Sequence, residues 1–275
     1  MDAPDLGPVV QRLILGAKVR QLRVAAGFAE VEATNDDQLR WYRGKLSKVE
    51  NGQYALKPKE VEALITLYRV TGQEATELRQ LATAARRQSA PERVPDTARQ
   101  YVAFERAAAE IRMIYGEVPG LFQTAEFARA QFLTSPVVLG GQVDSWAEAR
   151  EQRGERVRQA VGTTVTAILG EPALMWMVGG PGVLKRQLQR LLEFGQLPHV
   201  SIRLLPFASG GATGISTPFT LLYIEPAQVQ IAYAETLTGA DYYRTTGAYV
   251  AAFEQADQRA LTEDETRDAP DGADQ

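Results

Sequence analysis

Between residues 9 and 87 the chain is cut into short pieces by Gly27, Asn51-Gly52, Pro58 and Thr71-Gly72. Glycine and asparagine accept the backbone that ends a helix, and proline suits a first turn, so these positions mark where helices stop and start. The pieces carry apolar residues near helical spacing: Val10, Leu13, Ile14, Ala17 and Leu22 in VVQRLILGAKVRQLRVAA, and Val61, Leu64, Ile65 and Tyr68 in PKEVEALITLYRV. Leu46 and Val49 lie one turn apart in WYRGKLSKVENGQY, and Glu74–Arg87 supplies a further piece. The pattern predicts a compact domain of five short helices over residues 9–87.

QSAPERVPD, with Pro91 and Pro95, predicts a linker over 88–99. Beyond it the texture is mixed. ARQYVAFERAAAEIRMIY reads as one helix, Thr124 as the cap of another, and Ser145–Gln159 as a charged helix. PGVLKRQLQRLLEFG carries an apolar stripe of Val183, Leu184, Leu188, Leu191 and Leu192. TTVTAIL, HVSIRLLPF, TPFTLLYIE and VQIAYAE read as strands, and a helix is expected near Tyr242–Leu261. The expectation is an α+β protein overall, with an α+β region over 100–262 built on a small sheet with flanking helices, and a disordered acidic tail over 263–275.

The formal net charge is −4, yet residues 38–59 hold six Lys or Arg against one acid. A positive patch on a small domain steers toward a polyanion more effectively than the chain average suggests. The chain has no cysteine, which removes disulfides, thiolate metal sites and cysteine nucleophiles. The first residues lack the basic-then-apolar order of a secretory signal, and no apolar run approaches the ~20 residues of a membrane span. A cytoplasmic protein, nucleoid-associated and without a membrane partner, is expected.

In WYRGKLSKVENGQY, Leu46 and Val49 point one way and Arg43, Gly44, Ser47 and Lys48 the other, with Lys45 flanking. A short helix with one greasy face and one donor-rich face fits the major groove, and equally a solvated basic surface. With GAKVRQLRVAAGF before it and KPKEVEALITLY after it, the segment resembles the Cro/phage-repressor-like (XRE) helix-turn-helix family over residues 10–70, most clearly in Leu46-Ser47-Lys48-Val49-Glu50-Asn51-Gly52. The resemblance implies a lambda-repressor-like domain that binds double-stranded DNA as a homodimer. It places Arg43, Gly44, Lys48 and, more weakly, Ser47 at base edges, and Tyr42, Lys45, Asn51 and Gln53 at phosphates. It also implies a bracing ion pair between Arg23 and Glu50. The chain departs from the family in being about two residues longer between Gly27 and Glu50, which points to a lengthened or irregular helix in 29–38. Tyr42 stands where a Ser or Thr usually caps the recognition helix.

Residues 100–262 resemble a domain of undefined role found behind such helix-turn-helix domains in actinobacterial regulators. The match runs through Glu105, Val118-Pro119-Gly120-Leu121-Phe122-Gln123-Thr124 and Phe127-Ala128-Arg129-Ala130 to Leu205-Pro206-Phe207 and Thr217-Pro218-Phe219. Met175, Trp176 and Met177 are greasier than that family's usual pattern. Glu105, Arg112, Gln123 and Arg129, with Trp176, are candidates for a ligand or partner site, although the four polar residues read more simply as a network bridging helices. Trp146, Tyr242 and Tyr243 fit either core or surface. No catalytic set, metal-spaced cluster or cofactor fingerprint is present: the single histidine, His199, reads as structural, and FASGGATGIST reads as a tight connection between strands. No enzyme, metal or cofactor is therefore expected. The chain reads as a dimeric transcriptional regulator whose second region senses a ligand or partner. The alternative is an antitoxin-like module that holds a small protein from a neighbouring gene and regulates its own promoter.

Overall fold

The computed structural model describes residues 6–87, 98–159, 162–210, 212–236 and 239–269. The described residues divide into two units, one holding 6–87 with Gln100–Ala107 and Ile224–Val229, the other holding the remainder. Most of the expected linker, residues 88–97, lies outside the described residues.

The first unit contains α1 (Gly7–Ala25), α2 (Glu30–Asn35), α3 (Lys45–Glu50), α4 (Pro58–Leu67) and α5 (Gly72–Ala85). Helices α1 and α3 end alike. Gly27 and Gly52 take positive φ, 80° and 71°, while the next amide reaches back to a carbonyl a turn and a half earlier. These bonds run from Phe28 N to Arg23 O at 3.1 Å and from Gln53 N to Lys48 O at 2.8 Å. Helix α4 stops the same way at Arg69, whose φ is 55°, so Thr71-Gly72 opens α5 and does not break α4. The core gathers Leu15, Val19, Leu46, Val49, Leu56, Leu64 and Leu78, with Phe28, Trp41 and Tyr54 packed against it. On α1, Ile14 and Ala17 are only partly covered, because Leu15 and Val19 carry the buried face. Helix α2 is short, with only six residues, and the stretch between it and α3 turns at Arg40, which adopts φ 45°.

The chain continues through α6 (Arg99–Ala107), β1 (Glu110–Tyr115), α7 (Ala125–Leu133), α8 (Val143–Gln159), β2 (Thr164–Gly170), α9 (Pro172–Met175), α10 (Pro181–Phe194) and β3 (Val200–Leu205). After these come α11 (Thr213–Ser216), β4 (Phe219–Ile224), β5 (Val229–Thr236), β6 (Gly239–Tyr243), α12 (Gly247–Asp257) and α13 (Glu263–Arg267). The strands form one sheet in the order β3-β2-β1-β4-β5-β6. Strands β1, β2 and β3 run parallel, β4 pairs with β1 antiparallel, and β6 pairs with β5 antiparallel. Register brings Phe219, Ile114 and Ile168 side by side, and with Phe253 of α12 they form the core of one face.

Three sequence expectations are corrected. The single helix expected over 98–115 breaks at residue 108, and Glu110–Tyr115 becomes a strand because it hydrogen-bonds on both sides, to β2 and to β4. The helix expected from Tyr242 starts only at Gly247, since Gly239–Tyr243 pairs with β5. The tail is ordered through residue 269: Thr262 caps α13 through a reciprocal pair with Glu265, and residues 270–275 lie outside the described residues. The stripe on α10 is core at Leu184, Leu188 and Leu191, whereas Leu192 is exposed.

The second half of FASGGATGIST packs against the core, while Phe207 at its start stands exposed. Ala212 and Ile215 join the cluster around Ile114, and a Cβ on Gly214 would lie 2.7 Å from Ile114 Cγ2. Gly214→Ala is expected to destabilise by about 1–3 kcal/mol in urea unfolding. Gly140→Ala, where a Cβ meets open space, should stay within about 0.5 kcal/mol of the parent.

Candidate nucleic-acid interface

Helix α3 sits on α1 with almost no side-chain layer between them at one point. A Cβ on Gly16 would fall into the Val49 carbonyl oxygen and lie 2.7 Å from that of Glu50, and one on Gly52 would lie 2.9 Å from Leu13 Cα. Leu46 and Val49, both buried, anchor the same face. Arg23 then ties the end of α1 to the end of α3, with Nε 2.6 Å from Glu50 Oε1, Nη2 3.1 Å from Glu50 Oε2, and Nη1 2.7 Å from the Phe28 carbonyl. The Arg23–Glu50 pair implied by the resemblance is thus present as a two-pronged bridge, with the two side chains only 11% and 7% exposed. Hydrogen bonding to Glu50 raises the Arg23 pKa further against the opposing effect of burial.

Lys45 is not placed as the resemblance implied. It is buried, its ammonium pairs with Glu60, and it sits 4.6 Å and 4.9 Å from the ring centres of Trp41 and Tyr54. Tyr54 Oη donates to the same Glu60 oxygen at 3.3 Å, and the Lys57 amide donates to the other at 2.7 Å. Burial alone would push the Glu60 pKa up, but the bonds from Lys45, Lys57 and Tyr54 together hold it below its ordinary value. Lys45 is therefore an internal cation joining α3 to α4, withdrawn from any phosphate.

The residues left on the outside form a smaller set. Tyr42, Arg43, Lys48 and Gln53 are exposed, and Ser47 and Asn51 are half-buried. Lys48 Nζ lies 5.8 Å from the centre of the Tyr42 ring, and Asn51 Nδ2 donates to Ser47 Oγ at 3.4 Å. Gly44, with φ 83°, is the residue preceding the first turn of α3, so Tyr42 lies outside the helix and the cap position carries no side chain. A Cβ on Gly44 would meet open space, so a left-handed backbone is what glycine provides there. Two further cations, Lys57 and Lys59, are exposed where α4 begins. They belong to the basic stretch 38–59 but carry no motif, and only their place beside Pro58 at a helix start singles them out.

In the second region the four polar candidates do not converge. Arg112 pairs with Glu110 on β1 at 3.0 Å, Arg129 pairs with Asp144 at 2.6 Å on the surface, and Glu105 is buried on α6. Gln123 lies in a bridging network: it donates to the Val118 carbonyl at 2.8 Å and to Gln131 Oε1 at 2.9 Å, and accepts from Arg150 at 2.6 Å. Gln131 continues the chain to Glu117 at 2.9 Å. Burial draws the Arg150 pKa down to about 10, with Arg153 adding to it, and burial raises that of Glu117. Gln187, fully buried, closes the next gap between α7 and α10 by donating to the Phe122 carbonyl and accepting from the Thr124 amide, both at 2.8 Å. Of the aromatic candidates, Trp146 packs edge-on against Phe132, whereas Trp176 stands 56% exposed. His199 places Nε2 2.8 Å from the Val157 carbonyl, a bond within the fold.

A family model described as a helix-turn-helix domain matches residues 14–78, which contain all of α2 and α3, and the chain thus carries a DNA-binding helix-turn-helix domain. A second model, described as a domain of unknown function (DUF5753), matches residues 98–269, more than half of the chain, and the protein belongs to that family. No curated protein and no solved structure matches it.

Glu50→Ala should cost about 3–5 kcal/mol in urea unfolding, because it leaves the Arg23 guanidinium buried without its carboxylate, while Arg23→Met with Glu50→Leu should cost less than that single change. The Lys45–Glu60 pair also predicts an acid limb. A carboxylate held below its ordinary value of 4.5 contributes stability that is present above that pH and is lost as pH falls through the folded value. Thermal melts between pH 3 and 7 should show this limb flattened in Lys45→Met.

Proposed function

We propose that the protein is a sequence-specific transcriptional regulator that places α3 in the major groove of double-stranded DNA and acts as a homodimer. The observation that carries this reading is the division of cations around α3. Lys45 is spent inside the fold, while Lys48 stands exposed on a helix seated against α1 and Arg43 stands exposed in the turn that leads into it. Arginine offers two parallel donors to guanine, and Lys48 serves a base or a phosphate. Ser47 and Asn51 stand beside them, while Tyr42, Gln53, Lys57 and Lys59 are placed for the sugar-phosphate backbone. Gly44 removes a side chain from one reading position, which shifts affinity toward phosphates and steepens the salt dependence. A single six-residue reading helix spans few base pairs, and a dimer gains specificity by reading two half-sites about 34 Å apart. In this reading the chain carries no catalysis or cofactor of its own and works in the cytoplasm on the nucleoid.

The second region is read as the sensing part. Exposure favours a partner protein there: Met175, Trp176 and Met177 stand 41%, 56% and 46% exposed in succession, and large exposed side chains of this kind dominate binding at interfaces. The antitoxin-like alternative uses this patch to hold a small protein that relieves repression. Trp176→Ala should then lose co-purification with such a partner and leave DNA binding unchanged.

On duplexes selected from a random pool, Arg43→Ala with Lys48→Ala should abolish specific retention while the melting temperature holds. Retention equal to the parent would remove α3 as the reading helix. Lys57→Gln with Lys59→Gln should weaken binding evenly across sequences and lower the slope of log K against log salt by about 2.

A further inference from the structure

We propose that the second unit holds a binding site for a small amphiphile, one with a short aliphatic chain and an uncharged or cationic hydrogen-bond-donating head, between α10, the β3 edge and α13. Leu169, Leu174, Leu188, Leu191, Ile202 and Leu204 enclose a chamber of about 100 Å³. Its inner wall is aliphatic, and Arg203, Glu263, Thr266 and Arg267 line the rest, so an apolar chain finds a greasy surface beside polar groups. By comparison with a cavity of ~150 Å³ that accepts the six carbons of benzene, the chamber takes about four carbon atoms, and a fifth reaches its mouth. Arg203, Glu263 and Arg267 line both the chamber and an open polar vestibule of about 380 Å³, which gives a head group somewhere to stay wet.

The charge of the head follows from which vestibule groups are already satisfied. Arg203 donates to the carbonyls of Leu261, Asp257 and Ala260 at 2.8–2.9 Å and pairs with Asp257 at 2.5 Å, so its guanidinium is spent on closing the end of α12. Arg267 pairs with Asp264 at 2.5 Å. The Glu263 carboxylate has no partner among the described residues, which leaves one unmatched negative charge and an acceptor at the mouth. An anionic head is repelled there, and a hydroxyl or ammonium is received.

Helix α13 supplies the way in. It forms one wall of the chamber through Glu263, Thr266 and Arg267, yet none of its residues is buried. Its attachment to the β3 edge includes the bond from the Leu204 amide to Thr266 Oγ1 at 3.0 Å. An element with so little buried surface opens at low cost. The site does not depend on the partner-protein reading, and it supplies a ligand class for sensing if binding also changes operator affinity.

The experiment titrates pentylamine, pentanol and pentanoate into the full chain, reading methyl NMR shifts and the melting temperature. Saturable binding is expected for the amine and the alcohol, with the amine about tenfold tighter than the acid. Gly195→Leu fills the chamber from a position with φ −66° and ordinary contacts, 3.5 Å and 3.6 Å to two carbonyl oxygens, and should abolish binding of all three. Should that variant not fold, Glu263→Lys on the exposed helix should reverse the preference toward pentanoate. No saturable binding by the parent, binding undiminished in folded Gly195→Leu, or an amine preference unchanged in Glu263→Lys would each overturn the site. Operator affinity is measured separately, so a failure to bind DNA and a failure to bind amphiphile are distinct results.

Discussion

The backbone contact between α1 and α3 at Gly16 governs the first unit. Packing two helices through side chains leaves 8–10 Å between axes, and a glycine at the crossing lets the carbonyls of one helix rest on the other. Gly52 repeats the close approach one turn on, where the same residue also ends α3 by its positive φ. With only six residues α3 has too little length to be a stable helix by itself, so its conformation and its outward face are both set by this seat. The Arg23–Glu50 bridge fastens the far end of the same contact, and it explains an acid in the midst of a basic segment.

That seat also decides which cations face outward. Once Leu46 and Val49 are fixed inward, position 45 is carried toward α4, where Trp41, Tyr54 and Glu60 surround its ammonium. Positions 43 and 48 are left outside. Lys45 and Lys48, only three residues apart, thus have different surroundings: the first is buried and paired with Glu60, and the second is exposed beside the Tyr42 ring with no ion-pair partner among the described residues.

What was legible in the sequence was local. Gly27, Asn51-Gly52 and Pro58 end and start helices by their own backbone preferences, and Thr124 accepts the Phe127 amide at 3.1 Å as its residue type suggests. What was hidden depended on residues far apart along the chain. Glu110–Tyr115 follows an alanine-rich helix with no glycine or proline to mark the change, and it is a strand because of partners fifty and a hundred residues away. The burial of Lys45 rests on Glu60, and the need for glycine at position 16 rests on Val49 and Glu50. The polar candidates Arg112, Gln123 and Arg129 are near in sequence, yet Arg112 pairs with Glu110 within β1 while Gln123 and Arg129 reach separate residues, Arg150 and Asp144, on α8. The tail looked disordered from its acidity alone, whereas its threonine-led cap and its bond to the β3 edge give it structure.

Guanine N7 lies on the major-groove edge that an arginine fork contacts. Methylation interference on duplexes selected by the protein therefore tests most directly whether the turn that leads into α3, itself seated on Gly16, brings Arg43 to that edge. The account predicts a guanine in each half-site whose methylation blocks binding by the parent, and which becomes indifferent when residue 43 is alanine. Interference confined to minor-groove adenine N3, or a guanine pattern identical in the parent and the position-43 variant, would contradict it.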